Sequence, residues 1–208
     1  MLCDIECPNC NGGGEDAVGL TCRRCKGHAW LSQETLAKTR DDFNVGFTGT
    51  QEGMAAAQVE TVHAMLRRLV EAHGDRLRAF HGDCVGADFQ FDDLCRLLGI
   101  WRGVFPSNIT AKRAFCERRG AVELATPQPP LERNPFIFKS GRDLLIAGPK
   151  GMAEEQRSGT WATVRGARKR FTEKRRGRIV VAWPDGRGEF VFPEGERRAV
   201  ALTPPAER

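Results

Sequence analysis

Two cysteine pairs near the start of the chain have metal-ligand spacing. They read Cys7-Pro-Asn-Cys10 and, after eleven intervening residues, Cys22-Arg-Arg-Cys25. A two-residue gap lets a tight turn aim two sulfurs at one point, and two such pairs supply the donors of a tetrahedral Zn2+. Four thiolates leave no open coordination position, so the expected ion is structural. Asn11-Gly12-Gly13-Gly14 and Lys26-Gly27 follow the pairs and let the backbone wrap the metal. Residues 1–35 are therefore expected to form a zinc ribbon that draws its folding free energy from the ion. Cys3 is a spare thiol, and His28 reads as an exposed histidine before it reads as a ligand.

Three further clusters combine glycine with small polar residues. They are Gly46-Phe47-Thr48-Gly49-Thr50, Gly82-Asp83-Cys84-Val85-Gly86-Ala87-Asp88, and the stretch from Gly148 to Thr160. Each follows a short apolar run, and glycine there permits close backbone approach to a ligand. Gly159-Thr160 opens a helix, whose free N–H groups and positive dipole end suit a phosphate. Thr48 and Thr50 have two open uses, as phosphate donors or as caps of the next helix. Arg133 either reaches a phosphate bidentately or makes a surface ion pair. Trp161 either stacks a base or packs. Cys84 lies at the same edge, with no pattern around it that marks a nucleophile. The chain has no GxGxxG and no Walker motif, so neither NAD nor ordinary NTPase chemistry is indicated.

Alternating short apolar runs and helical periods must position these clusters. Strands are expected over Phe43–Phe47, Leu77–His81, Ile100–Phe105, Leu144–Ala147 and Ile179–Trp183. Helices are expected over Met54–His73, from Phe89 to Leu98, over Thr110–Arg119, Asn134–Ser140 and Thr160–Phe171. Thr126–Pro130 carries three prolines and is expected to be a loop. This order predicts an α/β fold, a Rossmann-like, doubly wound and mostly parallel sheet, over residues 41–188. Residues 189–208 are expected to form a tail, with a hairpin near Phe190–Phe192. In such sheets ligands bind beyond the carboxyl ends of the strands, where the three clusters fall.

The body resembles the SLOG superfamily, which includes LOG-type phosphoribohydrolases, DprA-like proteins and nucleotide-sensing domains, and within it the branch related to YspA. The resemblance rests on Val45 to Thr50, His81 to Asp88, Phe105-Pro106-Ser107-Asn108, Arg133-Asn134, Ala147-Gly148-Pro149, Ser158 to Thr163 with Ala167, and Ile179–Trp183. It implies a nucleotide-derived ligand, ADP-ribose-like or a cyclic nucleotide signal. The implied contacts are Gly46, Thr48, Gly49, Thr50, Gly82, Asp83, Gly86, Ala87, Asp88, Ser107, Asn108, Arg133, Asn134, Pro149, Ser158, Gly159, Thr160 and Trp161. It also implies a homodimer or higher oligomer. The cysteine segment is similar to one repeat of the DnaJ-type cysteine-rich region. One departure matters. LOG-type hydrolases carry a glutamate three residues after the threonine of PGGxGTxxE, and here that position is Thr163. Without that carboxylate, binding by a sensor, carrier or sequestering protein is expected over catalysis, with N-glycosidic hydrolysis as the alternative. Asp83, Asp88, Glu154 and Glu155 are the other carboxylates near the loops.

The net charge of +5 is mildly basic. Much of it lies between Arg165 and Arg178, where eight Lys or Arg face one Glu. Such a run is a solvated helix face, an attractor for a charged ligand, or a contact for single-stranded nucleic acid as in DprA-like proteins. The chain shows no apolar run long enough to span a membrane, and its first residues have no secretory pattern. With CxxC pairs suited to a reducing compartment, a cytoplasmic location without membrane contact is expected.

Overall fold

The computed structural model describes residues 5–6, 30–31, 42–191 and 197–199. The chain divides into two compact units, Met1–Asp42 and Phe43–Arg208. In the first, β1 (Ile5–Glu6) pairs antiparallel with β2 (Trp30–Leu31), Glu6 opposite Trp30. Cys7, Cys10, Cys22 and Cys25 lie outside the described residues.

The second unit is built on one eight-stranded sheet. In chain order its elements are β3 (Phe43–Gly49), α1 (Ala56–His73), β4 (Leu77–His81), α2 (Ala87–Leu97), β5 (Trp101–Val104), β6 (Val122–Glu123), α3 (Pro130–Ser140), β7 (Leu144–Gly148), α4 (Gly159–Lys174), β8 (Arg178–Ala182), β9 (Gly188–Val191) and β10 (Arg197–Ala199). The spatial order is β6-β5-β4-β3-β7-β8-β9-β10. The first six of these are parallel, and β9 and β10 add an antiparallel edge. This is the expected Rossmann-like arrangement. The strand order reverses between β3 and β7, the place where such sheets open a crevice.

Strand alternation builds two cores. Val45, Phe47, Leu144 and Ile146 face α1 and α2, where Val62, Leu66, Phe91 and Cys95 are buried. Leu145, Ala147, Ile179 and Val181 face α3 and α4, where Ile137, Phe138, Val164, Ala167 and Phe171 are buried. A central sheet buried on both faces explains why its strands read as unbroken apolar runs.

Four expectations change. The segment Thr110–Arg119 is two 3-10 turns, Thr110–Lys112 and Cys116–Arg119, separated by Phe115 in the left-handed region at φ 56°. The helix expected from Asn134 begins at Pro130, because proline is well suited to the first helical turn. β6 is two residues long and gave no sequence signal. The sheet also runs past residue 188, since β9 pairs with β8 and the end of the chain supplies two strands.

Helix α3 crosses β3 at glycines. A Cβ on Gly141 would land within 2.9 Å of three backbone atoms of Val45 and Gly46. Backbone cannot yield as a flexible side chain can, so Gly141→Ala is expected to destabilise by about 3 kcal/mol. The urea unfolding midpoint, measured at constant m-value, checks this.

Candidate functional site

Backbone hydrogen bonds join the three glycine clusters into one rim. Thr50 N–H donates to Gly148 C=O (3.1 Å), and Ala87 N–H donates to Thr50 C=O (2.9 Å). Gly49 permits this closeness, because a Cβ there would collide with the methyl group of Ala87. Gly86, at φ 83°, passes against the Gln51 carbonyl in a conformation that suits only glycine. Gln58, buried on α1, donates to Pro149 C=O (3.0 Å) and Ala182 C=O (2.6 Å), which ties the β7–α4 loop to the sheet.

The rim encloses a cleft of about 380 Å³ at the carboxyl ends of β3 and β7. Of the residues the resemblance implies as ligand contacts, Thr48, Gly49, Thr50, Asp88, Arg133, Asn134, Ser158, Gly159 and Thr160 line it. Gln51, Glu52, Cys84, Pro130, Leu131, Ile137, Lys150 and Glu155 line it as well. A larger hollow, about 590 Å³, lies at the other end of these strands among Phe43, Met65, Leu144 and Val180. Arg68, Arg175 and Arg178 also line it, and Arg176 pairs there with Asp143 (2.6 Å).

The cleft floor holds the unusual groups. Arg133 is only 5 % exposed and meets no carboxylate at hydrogen-bond distance. Its Nη1 donates to the carbonyls of Gly82 and Phe105, the latter at 2.8 Å, and its Nη2 lies 2.9 Å from Cys84 Sγ. Its Nε is buried without a partner. Burial pushes the Cys84 thiol up to about 11, so it is a thiol and not a thiolate at neutral pH. Asp88 is also buried. Its Oδ2 accepts from the N–H groups of Gly82 (3.0 Å) and Cys84 (3.2 Å). Burial outweighs the nearby positive groups and holds its carboxyl above the usual range. Asp88 Oδ1, the Thr48 and Thr160 hydroxyls and the Asn134 amide take no hydrogen bond from the described residues, although all four side chains are at least nine-tenths buried. These atoms are not sealed from solvent, so water or a ligand can reach them from the cleft. Above them α4 begins. Ser158 caps it by accepting from Trp161 N–H (3.4 Å), and the N–H groups of Gly159 and Thr160 open the helix.

Other anticipated contacts serve the framework. Trp161 is 1 % exposed and packs beside Trp183 at 5.8 Å between ring centroids, so its faces are closed to a base. Asp83, at φ 57°, is fully buried and accepts from Arg113 Nε (2.8 Å) and Cys116 N–H (2.8 Å), away from the cleft. Gly82 makes space for Arg133, whose guanidinium a Cβ would overlap. Ser107 is buried and accepts from Ile109 N–H, and Asn108 bonds through its backbone to Gln128. Gly46, Gly86, Ala87 and Pro149 act through backbone shape or bonding.

His81, Asp92 and Cys116 place potential metal donors within 4.8 Å of one another in the interior. Their donor atoms are largely committed. His81 Nδ1 accepts from Asp83 N–H (3.2 Å), which assigns its proton to Nε2, facing Asp92 Oδ1 at 3.2 Å. Arg102 donates to the other Asp92 oxygen at 2.8 Å, supplying the positive charge that an ion would bring. This network fastens β4, α2 and β5 below the cleft. The basic run is also partly spent. Arg165 and Arg168 pair with Glu154, and Arg176 pairs with Asp143.

A raised carboxyl stabilises the fold in its protonated form. That contribution is full below the unfolded pKa and is lost as pH rises through the folded one. Asn at position 88 keeps an oxygen for the two backbone donors and cannot ionise. The melting temperature of Asp88→Asn is therefore expected to match the parent in acid and to exceed it progressively towards neutral pH. Equal differences at both ends would contradict the assignment.

No protein-family model matches the chain, and no curated protein does. Among solved structures it is similar to the X-ray structure of TM1055, a target of the Northeast Structural Genomics Consortium. The identity is 15 %, the match covers 61 % of this chain and 68 % of that one, and the TM-score is 0.44.

Proposed function

We propose that the cleft binds a nucleotide-derived small molecule, ADP-ribose-like or a cyclic nucleotide signal, and that the protein senses, carries or sequesters it. The observation that carries this reading is the cluster of polar groups without protein partners that lines the cleft beneath the start of α4. A phosphate fits the N–H groups of Gly159 and Thr160 together with the Thr48 and Thr160 hydroxyls. A sugar hydroxyl fits Asp88 Oδ1, which accepts where the phosphate donors cannot. The resemblance to SLOG-type domains supports the same ligand class.

The second reading, hydrolysis of an N-glycosidic bond, is favoured by Asp88. At the position of the LOG-type glutamate, Thr163 is buried and its hydroxyl donates to Gly159 C=O at 3.0 Å, so it brings no acid there. Asp88 supplies a buried carboxyl from another loop, with the elevated affinity for a proton that a general acid needs.

Heating the purified protein and weighing the released small molecules separates the two readings. A nucleotide-like mass at about one per chain, returned unchanged on re-incubation, supports binding; release of free base supports hydrolysis. Gly159→Asp tests the cradle. A Cβ on Gly159 meets nothing within 4 Å, so the variant should fold. Its carboxylate would occupy the phosphate position and weaken binding about tenfold or more. Unchanged binding by a folded Gly159→Asp protein would remove the cradle.

We also propose that Cys7, Cys10, Cys22 and Cys25 hold one structural Zn2+. The pairing of Glu6 with Trp30 supports this by joining the two ends of the segment that carries all four cysteines. Elemental analysis should find about one zinc per chain and little after Cys10→Ser, as expected when one of four ligands is lost. Zinc-free protein from a zinc-replete preparation would refute the site.

A further inference from the structure

Two loops of the cleft mouth are bridged by a single ion pair. Lys150 Nζ, just beyond β7, lies 2.7 Å from Glu52 Oε1, just beyond β3. Both side chains are mostly exposed, 62 % and 65 %, and both line the cleft. An exposed pair of long side chains stabilises a fold little, because water solvates both charges and holding them costs rotamer entropy. The contact is therefore a weak fastening that a better partner can displace.

The surrounding charges give it a role. Among the described residues, Arg133 and Lys150 are the two side-chain cations lining the cleft. Arg133 is buried, with both Nη atoms spent on Gly82, Phe105 and Cys84. Lys150 alone of these two has the reach and solvent freedom to meet an incoming anion. Three carboxyl side chains, Glu52, Asp88 and Glu155, line the same cleft. An anion arriving there competes with Glu52 for Lys150.

Resting on the nucleotide reading above, we propose that Lys150 is a phosphate-recognising side chain, that Glu52 holds it in reserve, and that the ligand's anionic group takes it over on binding. Glu52 then acts as a specificity-determining residue. A neutral nucleoside gains nothing from displacing it, whereas a phosphate exchanges one carboxylate partner for another anion already braced by the α4 N-terminus. The bridge between the two loops opens as the ligand enters, so the cost of binding includes the loss of that pair.

The test is calorimetric titration of ADP-ribose and of cyclic AMP into the full chain and three variants. Glu52→Gln frees Lys150 and is expected to tighten binding about two- to fivefold, the range set by a surface pair. Lys150→Met is expected to weaken it about tenfold or more, as for a lost charged hydrogen bond. The double variant should match Lys150→Met, because Glu52 acts only through the lysine. If Glu52→Gln weakens or leaves binding unchanged, the exchange is overturned. If it tightens binding equally in the Lys150→Met background, Glu52 merely repels anions and the exchange is again overturned. If the unmodified protein binds neither probe, with circular dichroism confirming its fold, the nucleotide reading falls and takes this inference with it.

Discussion

The burial of the Arg133 guanidinium is the constraint around which the cleft is organised. A cation removed from water must recover its lost hydration within the protein. Here it does so through two carbonyls, from Gly82 after β4 and Phe105 after β5, and the sulfur of Cys84. Position 82 must lack a side chain, or the guanidinium would have no space. Helix α3 must approach the sheet closely enough to deliver the arginine, which requires the glycine contact between Gly141 and Gly46. Asp88 then lies near that charge, with one oxygen tied to the backbone and the other open. Remove the buried cation and these requirements lose their common cause.

Around that floor the molecule leaves polar groups without protein partners and open to the cleft. The contrast with the neighbouring network is informative. His81, Asp92, Arg102 and Asp83 are as deeply buried, yet each finds a partner, and together they fasten strands to helices. Thr48, Asn134 and Thr160 find none and face a cavity. Both sets consist of buried polar residues near the ends of the same strands. One set supports the sheet, and the other faces the cleft without protein partners.

Much of the fold was legible because its signals are local. Apolar runs marked β3, β4, β5, β7 and β8, and the spacing of Val59, Val62, Leu66, Leu69 and Val70 marked α1. What escaped were elements defined by partners. β6 is two residues held by β5, the two 3-10 turns hang on Asp83 and Arg113, and β9 becomes sheet by pairing with β8. Of the residues lining the cleft, those in the glycine clusters were recognisable by type and position. Leu131, Ile137 and Gln51 carry no chemical signature and line it only because α3 and the β3–α1 loop fold beside it. The same pattern does not separate Trp161 and Asp83 from the residues that line the cleft. Their neighbours face the cleft, while helix rotation turns the tryptophan into the core and a left-handed backbone turns the aspartate towards Arg113.

The sequence by itself determined the order of the five main parallel strands and of helices α1 to α4, the α/β class and the edge of the sheet on which glycine-rich loops gather. These follow from hydrophobic period and from the backbone freedom of glycine, both properties of short segments. Tertiary structure alone decided which polar residues on those loops are satisfied and which are left open, and it alone set Lys150 against Glu52 across the mouth. Hydrogen bonding and burial depend on atoms brought together from distant parts of the chain. Arg133 and Gly82, 51 residues apart, meet only once the sheet and its helices have closed around them.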